Sequence, residues 1–412
     1  MRMLVLGAGL QGSACAFDLL QNPAVQEVRL ADLHVGQLAP FLAPYTDPAT
    51  VGAGRPRLVP TPLDARDREA VQALMRESDA VMSALPYYFN LEMARQAAAA
   101  GTHFCDLGGN TEIVEQQKAL AAQAQETGAS IIPDCGLAPG MVNILAQHGI
   151  HQLEGDGAAV QAVRIFVGGL PERPEPPLNY QIVYSLEGVL DYYTTQSWVV
   201  RDGRRTQVAA LSEVERVDID GVGELEAFHT AGGLSTMASR YEGRIPTMEY
   251  KTLRYPGHAK IMEAVRELGF LGLEPVEVKG QRVVPRDVAV AVMGPRLRKP
   301  QGRDLVALRV IAEGTKDGAT VRRAWELVDR CDDARGISAM MRTTGYSLSI
   351  TGQLQAHGEI APGVWTPDEC MPAERYIAEL ARRGVMIQEV DAERRVIDGD
   401  RRAGDERRAV GV

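Results

Sequence analysis

The chain has 412 residues, of which 45% are apolar and 24% are charged, and its formal net charge is −10. This composition is typical of a globular protein with two or three domains and argues against wholesale disorder. The chain contains no basic tract and no apolar run of membrane-spanning length, so we expect neither nucleic acid nor a membrane as a partner.

Five cysteines are spread along the chain without a C-x-x-C pair, and the seven histidines show no metal-ligand spacing. We therefore predict neither a disulfide framework nor a metal site. The N-terminal segment lacks the pattern of a secretory signal, which favours a reducing, cytoplasmic location. No G-x-S-x-G, H-E-x-x-H or P-loop motif occurs, so serine hydrolase, zinc peptidase and NTPase chemistry are not indicated.

Short β-type runs alternate with helical patterns through the first 150 residues. Because strand and helix alternate, right-handed βαβ units are expected. The sequence predicts an α/β fold, with a doubly wound parallel sheet of the Rossmann type over residues 1–150. The candidate strands lie at 3–7, 28–32, 57–61, 80–85, 103–107 and 130–134, and the candidate helices at 13–22, 67–77, 89–101 and 111–128.

The first strand runs into a glycine-rich G-x-G-x-x-G segment that opens a helix. Gly7 allows a tight turn, Gly9 lets the backbone approach a pyrophosphate, and Gly12 permits close packing of helix on strand. Leu10 and Gln11 complete the turn, and the helix N-terminus favours negative charge. The pattern predicts dinucleotide binding, although such glycines can also form a turn that holds no ligand.

Asp32 lies 20 residues after Gly12, at the end of the second strand. A carboxylate there accepts hydrogen bonds from the adenosine ribose and repels a 2′-phosphate, so NAD is predicted as the cofactor and NADP is less favoured. Ligands bind at the carboxyl ends of parallel strands, and the later strand ends should line the same crevice. The additional cofactor-binding candidates are Asp64, Ala65, Leu85, Pro86, Asp106, Gly108 and Gly109.

Beyond residue 160 the pattern changes to alternating apolar runs with fewer helices. Strands are predicted at 163–169, 180–186, 217–223 and 304–314. They are typical of a second α+β domain with a mixed sheet, which we assign to residues 151–336 for substrate binding and dimerisation. The proline-dense segment 171–179 marks a crossover between the domains.

The end of the chain returns to helical patterns at 337–356 and 372–384. We predict that residues 337–390 complete the first domain. Residues 391–412 carry balanced charges and few apolar side chains, which predicts a mobile, solvated tail.

Two segments of the second domain, 180–195 and 226–258, concentrate side chains that could hold a substrate and move a proton. A guanidinium can grip a carboxylate in a bidentate fork, and a buried lysine or an oriented histidine can transfer a proton. Each of these side chains could instead belong to an ion pair, a loop or the core. The candidate catalytic residues are Glu187, Lys251 and His258, and the candidate substrate-binding residues are Tyr180, Asp191, His229, Thr230 and Arg254.

From Met1 to about Val390 the chain resembles the saccharopine dehydrogenase-like family. GLAPG and LRYPGH identify the wider family, while the PERPEPPLNY run, SLEGV and EAFHTAGG are most similar to its lysine 6-dehydrogenase branch. The resemblance implies a dinucleotide domain interrupted by a sheet-bearing domain, with the segment 345–354 as the returning helix. The other segments that carry the likeness are LGAGLQG, LPYYFN, DLGGN, IIPDCGLAPGMVNIL and LSEVE.

The resemblance to that branch implies NAD-dependent oxidative deamination of the lysine ε-amine, with Arg254 on the substrate carboxylate. Residues 280–335 look like the more general saccharopine-type enzymes, which leaves a saccharopine or carboxyalkyl-polyamine secondary amine as an alternative substrate. Such a substrate needs a second cationic clamp, for which Arg173, Arg240 and Arg244 are available. A catalytically silent NAD-binding regulatory protein is the third hypothesis. We also expect a homo-oligomer, on the basis of the exposed strands and the tyrosine-rich segment.

Overall fold

The computed structural model describes residues 1–46 and 56–391. The chain forms two compact units. Of the described residues, the first consists of Met1–Ile144 and Cys331–Val385, and the second of Leu145–Arg330 together with Met386–Asp391. The predicted tail lies outside the described residues, apart from Asp391.

The first unit is built on a seven-stranded parallel sheet, ordered β17-β6-β5-β4-β1-β2-β3. The order 3-2-1-4-5-6 of its first six strands is that of dinucleotide-binding folds, which confirms the predicted fold class. The strands are β1 Arg2–Leu6, β2 Glu27–Asp32, β3 Arg57–Pro62, β4 Ala80–Ser83, β5 His103–Asp106, β6 Ser130–Ile132 and β17 Gly363–Val364.

Helices connect and cover these strands. The predicted helix over 111–128 is in fact two helices, separated at Ala119 and Leu120. The helices of the unit are α1 Leu10–Leu19, α2 Arg68–Arg76, α3 Asn90–Ala100, α4 Thr111–Lys118, α5 Ala121–Thr127, α11 Ala339–Ala356, α12 Pro367–Cys370 and α13 Ala373–Arg382, with short 3₁₀ helices at Pro40–Tyr45 and Tyr87–Phe89. In α6, Met141–Gly155, the chain passes from the first unit to the second.

The returning helix α11 packs closely against α1 and the sheet, because two of its positions lack a side chain. A Cβ at Gly345 would lie 2.7 Å from the Cβ of Ala14, and one at Gly352 would overlap the sulfur of Met82. The buried Asp18 of α1 accepts a hydrogen bond from the Ser349 hydroxyl at 2.6 Å. The segment 345–354 lies within α11, in the first unit.

The second unit contains a nine-stranded mixed sheet, as predicted. Its main path is β10-β11-β12-β7-β15-β16-β18, with β8 paired to β12 and β9 paired to β8. The pair β7 and β12 is parallel and the other pairs are antiparallel. The strands are β7 Ala159–Pro171, β8 Ser197–Arg201, β9 Arg204–Val208, β10 Glu215–Ile219, β11 Gly223–His229, β12 Thr247–Arg254, β15 Asp304–Lys316, β16 Ala319–Arg330 and β18 Gln388–Val390.

Helices and one separate hairpin complete this unit. The helices α7, α9 and α10 share an apolar cluster that includes Leu190, Met262 and Ala289. Their bounds are α7 Leu186–Thr194, α8 Met237–Arg240, α9 His258–Glu267 and α10 Pro285–Leu297, and the hairpin consists of β13 Val276–Val278 and β14 Gln281–Val283. In the part of the chain that the structure describes, no helix is long and apolar enough to span a membrane.

Four sequence-based expectations about strands and domain bounds are wrong. Residues 217–223 do not form one strand, because β10 ends at Ile219 and β11 begins at Gly223. Residues 180–186 form no strand, because Tyr180 and Leu186 turn into the apolar cluster of the helices and not into a sheet. The proline-dense segment 171–179 lies within the second unit and not at a crossover between units. Residues 386–390 belong to the second unit and not, as the sequence predicts, to the first domain, because β18 pairs with β16.

Candidate functional site

The nucleotide edge of the first unit, defined as the turn after β1 and the carboxyl ends of its neighbouring strands, is shaped by glycine. Gly7 has a φ of +95°, and a Cβ there would lie 2.9 Å from the carbonyl oxygen of Ala84. A Cβ at Gly12 would overlap the carbonyl oxygen of Gly7, whereas one at Gly9 would meet nothing within 4 Å. Gly7 and Gly12 are therefore required by the turn, and Gly9 leaves open space where a ligand can approach the backbone.

Asp32 is held in place at the end of β2. Its two carboxylate oxygens accept the amide of Ala8 at 2.8 Å and the amide of His34 at 2.9 Å. The following residues, 33–38, include neither arginine nor lysine that could meet a 2′-phosphate. This arrangement is suited to a ribose that donates hydroxyl hydrogen bonds.

Gln11, in the first turn of α1, carries an unsatisfied carboxamide. Its nitrogen and its oxygen are both buried, and neither has a hydrogen-bond partner among the described residues. Buried polar atoms are ordinarily paired, so this side chain points to a ligand that supplies both a donor and an acceptor. Together with the glycine turn and Asp32, it fits a bound dinucleotide.

The loop after β5 is fixed by a buried carboxylate. Asp106 accepts the amide of Gly108 at 2.7 Å and the side-chain amide of Gln117 at 2.7 Å. Burial, opposed by these hydrogen bonds, raises the pKa of Asp106 to about 6. Gly108 and Gly109 both have positive φ, and a Cβ at Gly109 would lie 3.2 Å from the Cβ of Tyr87. Asp106 is therefore buried and positions the loop, and its role in cofactor binding stays a prediction.

Sequence reasoning missed one residue of this edge, Asp134. It is buried, has a φ of +64°, and lies two residues after the end of β6. A Cβ at Gly108 would overlap its carboxylate oxygen, so the two loops are fitted together. The sequence signal that could have identified Asp134 is an acidic residue just after a buried strand.

The other predicted cofactor residues lie at strand ends but are less enclosed. Asp64, after β3, forms an ion pair with Arg66 at 2.7 Å, and the hydrogen bonds from Arg66 lower the pKa of Asp64 to about 2. Its neighbour Ala65 is half-buried. Leu85 is half-buried after β4, Pro86 is exposed there, and Leu10 is also exposed. These placements leave their role in cofactor binding a prediction.

In the second unit, four side chains form a cluster that we call the arginine–tyrosine cluster: Arg254, Tyr180, Tyr193 and His258. Arg254 is only 3% exposed, and its guanidinium carbon lies 4.8 Å from the centre of the Tyr180 ring. One guanidinium nitrogen donates to the carbonyl of Leu253 at 2.8 Å, but Nε has no partner. No carboxylate of the described residues forms an ion pair with Arg254. A buried cation without a counter-ion is a strong candidate for binding an anion.

His258 is neutral within this cluster. Its Nδ1 lies 3.1 Å from the carbonyl of Leu178, to which it donates, and its Nε2 lies 2.9 Å from the Tyr193 hydroxyl, from which it accepts. Burial and the nearby charge of Arg254 lower the pKa of His258 to about 3. Both ring nitrogens are occupied, so the imidazole holds Tyr193 and the loop in place.

A second polar group, the carboxylate–histidine network, consists of Glu213, His229, Glu249, Arg201 and Lys251. His229 Nε2 lies 3.1 Å from Glu213, and burial is the main reason that the pKa of His229 is lowered. Arg201 lies between the two carboxylates, 2.8 Å from Glu213 and 2.7 Å from Glu249. The two glutamates and the histidine are close enough to share a metal ion, but the guanidinium already supplies the positive charge there.

The structure places the remaining candidates as follows. Glu187 is exposed in the first turn of α7. Asp191 forms an ion pair with Arg286. Lys251 is buried, and its Nζ donates to Glu215 at 2.6 Å and to the carbonyl of Glu213 at 2.8 Å. The Thr230 and Thr252 hydroxyls are 2.7 Å apart. The structure therefore brings Tyr180, Arg254 and His258 together, joins His229 to Lys251, and leaves Glu187 apart.

A parallel sheet of dinucleotide-binding order, a glycine turn with an aspartate on β2, and a second unit with a mixed sheet define a two-domain NAD(P)-binding protein of the oxidoreductase type. More particularly, the chain belongs to the saccharopine dehydrogenase family. The family model for the saccharopine dehydrogenase NADP binding domain matches residues 3–132, and that for the saccharopine dehydrogenase C-terminal domain matches residues 136–385. The resemblance to this family is confirmed.

Curated relatives agree with this assignment. The chain is 24% identical to a saccharopine dehydrogenase [NADP(+), L-glutamate-forming] of Pyricularia oryzae, over 54% of this chain and 50% of the relative. It is 24% identical to the Schizosaccharomyces pombe protein of the same name, over 79% and 87%. It is 26% identical to the mitochondrial alpha-aminoadipic semialdehyde synthase of Mus musculus, over 66% and 29%. The chain thus spans half of the Pyricularia relative and under a third of the mouse one.

Among solved structures, apo saccharopine dehydrogenase (L-Glu forming) from Saccharomyces cerevisiae superimposes with a TM-score of 0.75 at 20% identity, covering 95% of this chain and 100% of that one. This likeness confirms the fold. The family domain and the two fungal relatives are named for NADP, so the preference for NAD remains a prediction.

Proposed function

We propose that the protein is an NAD-dependent oxidoreductase that deaminates the ε-amine of L-lysine. The products are 2-aminoadipate semialdehyde, which cyclises to 1-piperideine-6-carboxylate, ammonia and NADH. The proposal rests on the family assignment, on the resemblance of several segments to the lysine 6-dehydrogenase branch, and on the geometry of Arg254.

The observation that carries the choice of substrate is the single unpaired buried arginine. Arg286 and Arg309, the other buried arginines of the described second unit, are paired with Asp191 and Glu326. Arg254 has no such partner and keeps a free Nε. One unpaired guanidinium is suited to a substrate with one carboxylate, which L-lysine has, whereas saccharopine has three.

The reaction balances as follows. A bound NAD would supply a hydride acceptor, and a neutral amine that gave up hydride from its ε-carbon would become an iminium ion. Water would add to the iminium carbon, and loss of ammonia and of one proton to solvent would leave the aldehyde. In this scheme Arg254 would bind the substrate carboxylate, and Asp32 would orient the adenosine ribose.

The amine must be neutral before hydride leaves. The three candidate bases are either exposed, as Glu187 is, or already hydrogen-bonded, as Lys251 and His258 are. We therefore propose that lysine enters with its ε-amine deprotonated. Since a free lysine amine has a pKa of about 10.4, kcat/KM should rise about tenfold per pH unit up to that value.

A second candidate is a saccharopine-type secondary amine dehydrogenase. It is favoured by the names of the relatives and by a cavity of about 520 Å³ lined by Tyr180, Arg173 and Lys299. Arg173 is exposed, and Lys299 pairs with Glu175 at 2.6 Å. The other proposed clamps, Arg240 and Arg244, instead stack on Tyr241.

The test is reduction of NAD or NADP, followed by absorbance, with L-lysine, saccharopine, ornithine and polyamines over a range of alkaline pH. Turnover on L-lysine with NAD supports the proposal. Turnover only on saccharopine or a carboxyalkyl polyamine would show that L-lysine is not the substrate and supports the second candidate. Dinucleotide binding without turnover on any of these amines would favour a regulatory protein.

A further inference from the structure

The cavity of about 520 Å³ in the second unit lies between two segments of chain, 171–181 and 299–303, and we call it the 171–303 cavity. Its volume is within the range of sites that hold small organic ligands. Of the candidate substrate-binding and catalytic residues in the described chain, only Tyr180 lines it. The proposed activity therefore leaves most of this cavity without a function.

Hydrogen bonds and an ion pair hold the two walls of the cavity together. The carbonyl oxygen of Arg303 accepts the side-chain amide of Gln181 at 3.1 Å and the backbone amide of Glu172 at 3.0 Å. Lys299 of one wall pairs with Glu175 of the other at 2.6 Å. Because these contacts join the walls directly, the cavity is formed before a ligand binds, which reduces the cost of binding one.

The lining of the cavity is positively charged, although the whole chain carries −10. Arg173, Lys299 and Arg303 line it, together with the single carboxylate of Glu175. Glu172 pairs with Arg303 at 2.7 Å, whereas Arg173 forms no ion pair with any described residue. A concave surface with an excess of positive charge in an acidic protein attracts an anionic ligand.

Tyr180 brings a second unpaired polar group to the lining. It is 5% exposed, and its hydroxyl has no hydrogen-bond partner among the described residues. Buried hydroxyls are ordinarily paired, so this one points to a ligand that supplies an acceptor. The exposed cation of Arg173 and the buried donor of Tyr180 therefore lie at different depths of the same cavity.

We propose that the 171–303 cavity is a second ligand site, which binds a short dicarboxylate while the amine substrate occupies its own site. A compact anion such as phosphate would fill only a small part of the cavity. A dicarboxylate can place one carboxylate on the Arg173 guanidinium and accept the Tyr180 hydroxyl with the other. The separation from the amine site rests on the proposed function, whereas the affinity for a dicarboxylate does not.

Isothermal titration calorimetry of the free protein, without cofactor or amine, tests the site. The probes are succinate, glutarate and adipate, and the controls are pentanoate, with one carboxylate, and cadaverine, with two ammonium groups. We expect at least one dicarboxylate to bind one-to-one with a Kd below about 1 mM, pentanoate to bind at least about fivefold more weakly, and cadaverine not to bind. Absence of binding by all three dicarboxylates, or equal binding of pentanoate, would overturn the proposal.

Two variants locate the ligand in the cavity. Arg173→Gln and Tyr180→Phe should each weaken the dicarboxylate by at least about fivefold. Tyr180→Phe should not lower the Tm of the free protein, because the deleted hydroxyl has no partner. The matched control is Arg216→Gln, which removes an exposed charge of β10 outside the cavity and should bind like the wild type. Wild-type affinity in both cavity variants would place the ligand elsewhere and overturn the proposal.

Competition distinguishes this site from that of the amine. With reduced cofactor bound, L-lysine should leave the Kd of the dicarboxylate unchanged or raise it only to a plateau, because the two ligands bind at different positions and both are attracted by Arg254. A Kd that rises without limit with L-lysine or saccharopine would make the cavity part of the substrate site and overturn the proposal. A chain that binds the dicarboxylate but does not oxidise L-lysine would contradict the proposed function and support the cavity site.

Discussion

The nucleotide edge of the first unit and the arginine–tyrosine cluster of the second are built by different means. At the nucleotide edge, the turn from Gly7 to Gly12 is set by backbone atoms of Gly7 itself and of Ala84, and the decisive property is the absence of a side chain. In the cluster, Tyr180, Arg254 and His258 meet across more than 70 residues of chain, and their geometry depends on the packing of β12, α7 and α9.

This difference determines how each region should respond to substitution. A turn set by backbone contacts tolerates almost no added side-chain atom where its backbone is crowded. Where the turn is open, an added atom costs little stability. A cluster of buried polar side chains is destabilised when one partner is removed, because another buried group is then left without its hydrogen-bond or charge partner. The predictions below test this contrast.

Gly12→Ala should have the largest effect, because the added Cβ would overlap the carbonyl oxygen of Gly7. We expect at least about 4 kcal/mol of lost stability in denaturant unfolding, together with loss of dinucleotide binding. The matched variant is Gly9→Ala, whose Cβ meets nothing within 4 Å. It should unfold like the wild type and lose only nucleotide affinity. If Gly9→Ala lost as much stability as Gly12→Ala, crowding of the added Cβ would not be the cause of the loss.

His258 should make the cluster sensitive to acid. Its pKa is about 3 in the folded protein, below the usual 6.5, so the unfolded chain takes up the proton first. The contribution of neutral His258 is fully present above pH 6.5 and is lost as the pH falls toward 3, by up to about 5 kcal/mol. His258→Gln should flatten the pH dependence of unfolding between pH 6.5 and 4. A variant with the wild-type slope would remove His258 as its source.

Arg254→Lys should lower kcat/KM for the carboxylate-bearing substrate by about 100-fold, because the bidentate fork is lost. Dinucleotide affinity, measured by fluorescence of the reduced cofactor, should not change. Arg286→Lys serves as the control, since Arg286 already has the partner Asp191. If Arg254→Lys shows wild-type kinetics, the arginine is structural and the choice of a one-carboxylate substrate loses its support.

Asp32→Ala should weaken NAD binding by about tenfold and reduce discrimination against NADP, because the carboxylate no longer meets the ribose hydroxyls. Titration with both cofactors measures this effect directly. Since Asp32 also accepts the amides of Ala8 and His34, Asp32→Asn is needed to separate charge from turn geometry. Unchanged cofactor preference in both variants would remove Asp32 from the ribose site.

Glu187→Gln should have the smallest effect, less than twofold in kcat, because the side chain is exposed at the start of α7. The informative comparison is with Lys251→Met, which removes one partner of the ion pair with Glu215. Lys251→Met should lower the free energy of unfolding more strongly than it lowers kcat. A 100-fold fall in kcat for Glu187→Gln would restore Glu187 as the base.

The two regions also differ in how much of their structure could be predicted from the sequence. The six predicted strands of the first unit are present in parallel order, and the glycine turn and Asp32 lie where their spacing placed them, because each depends on local pattern. Asp134 was missed, since its contact with Gly108 joins two loops that only the folded sheet brings together.

In the second unit, the sequence identified polar side chains but not their partners. It could not show that Lys251 is neutralised by Glu215 or that both nitrogens of His258 are engaged. These contacts span tens of residues and depend on strand register. The alternation at 180–186 was misleading for the same reason, because apolar alternation does not distinguish a strand from a loop that packs on helices.

The discontinuity of the first unit bears on how the protein is made. The helix α11 fits against α1 through Gly345 and follows residues 145–330 in the chain. At ordinary rates of translation, roughly 10 to 40 seconds pass between completion of the sixth strand and arrival of this helix. During that interval the face of α1 beside Ala14 and Asp18 is uncovered on the ribosome. A nascent chain stalled before Cys331 should therefore be bound by chaperones that recognise exposed apolar surface.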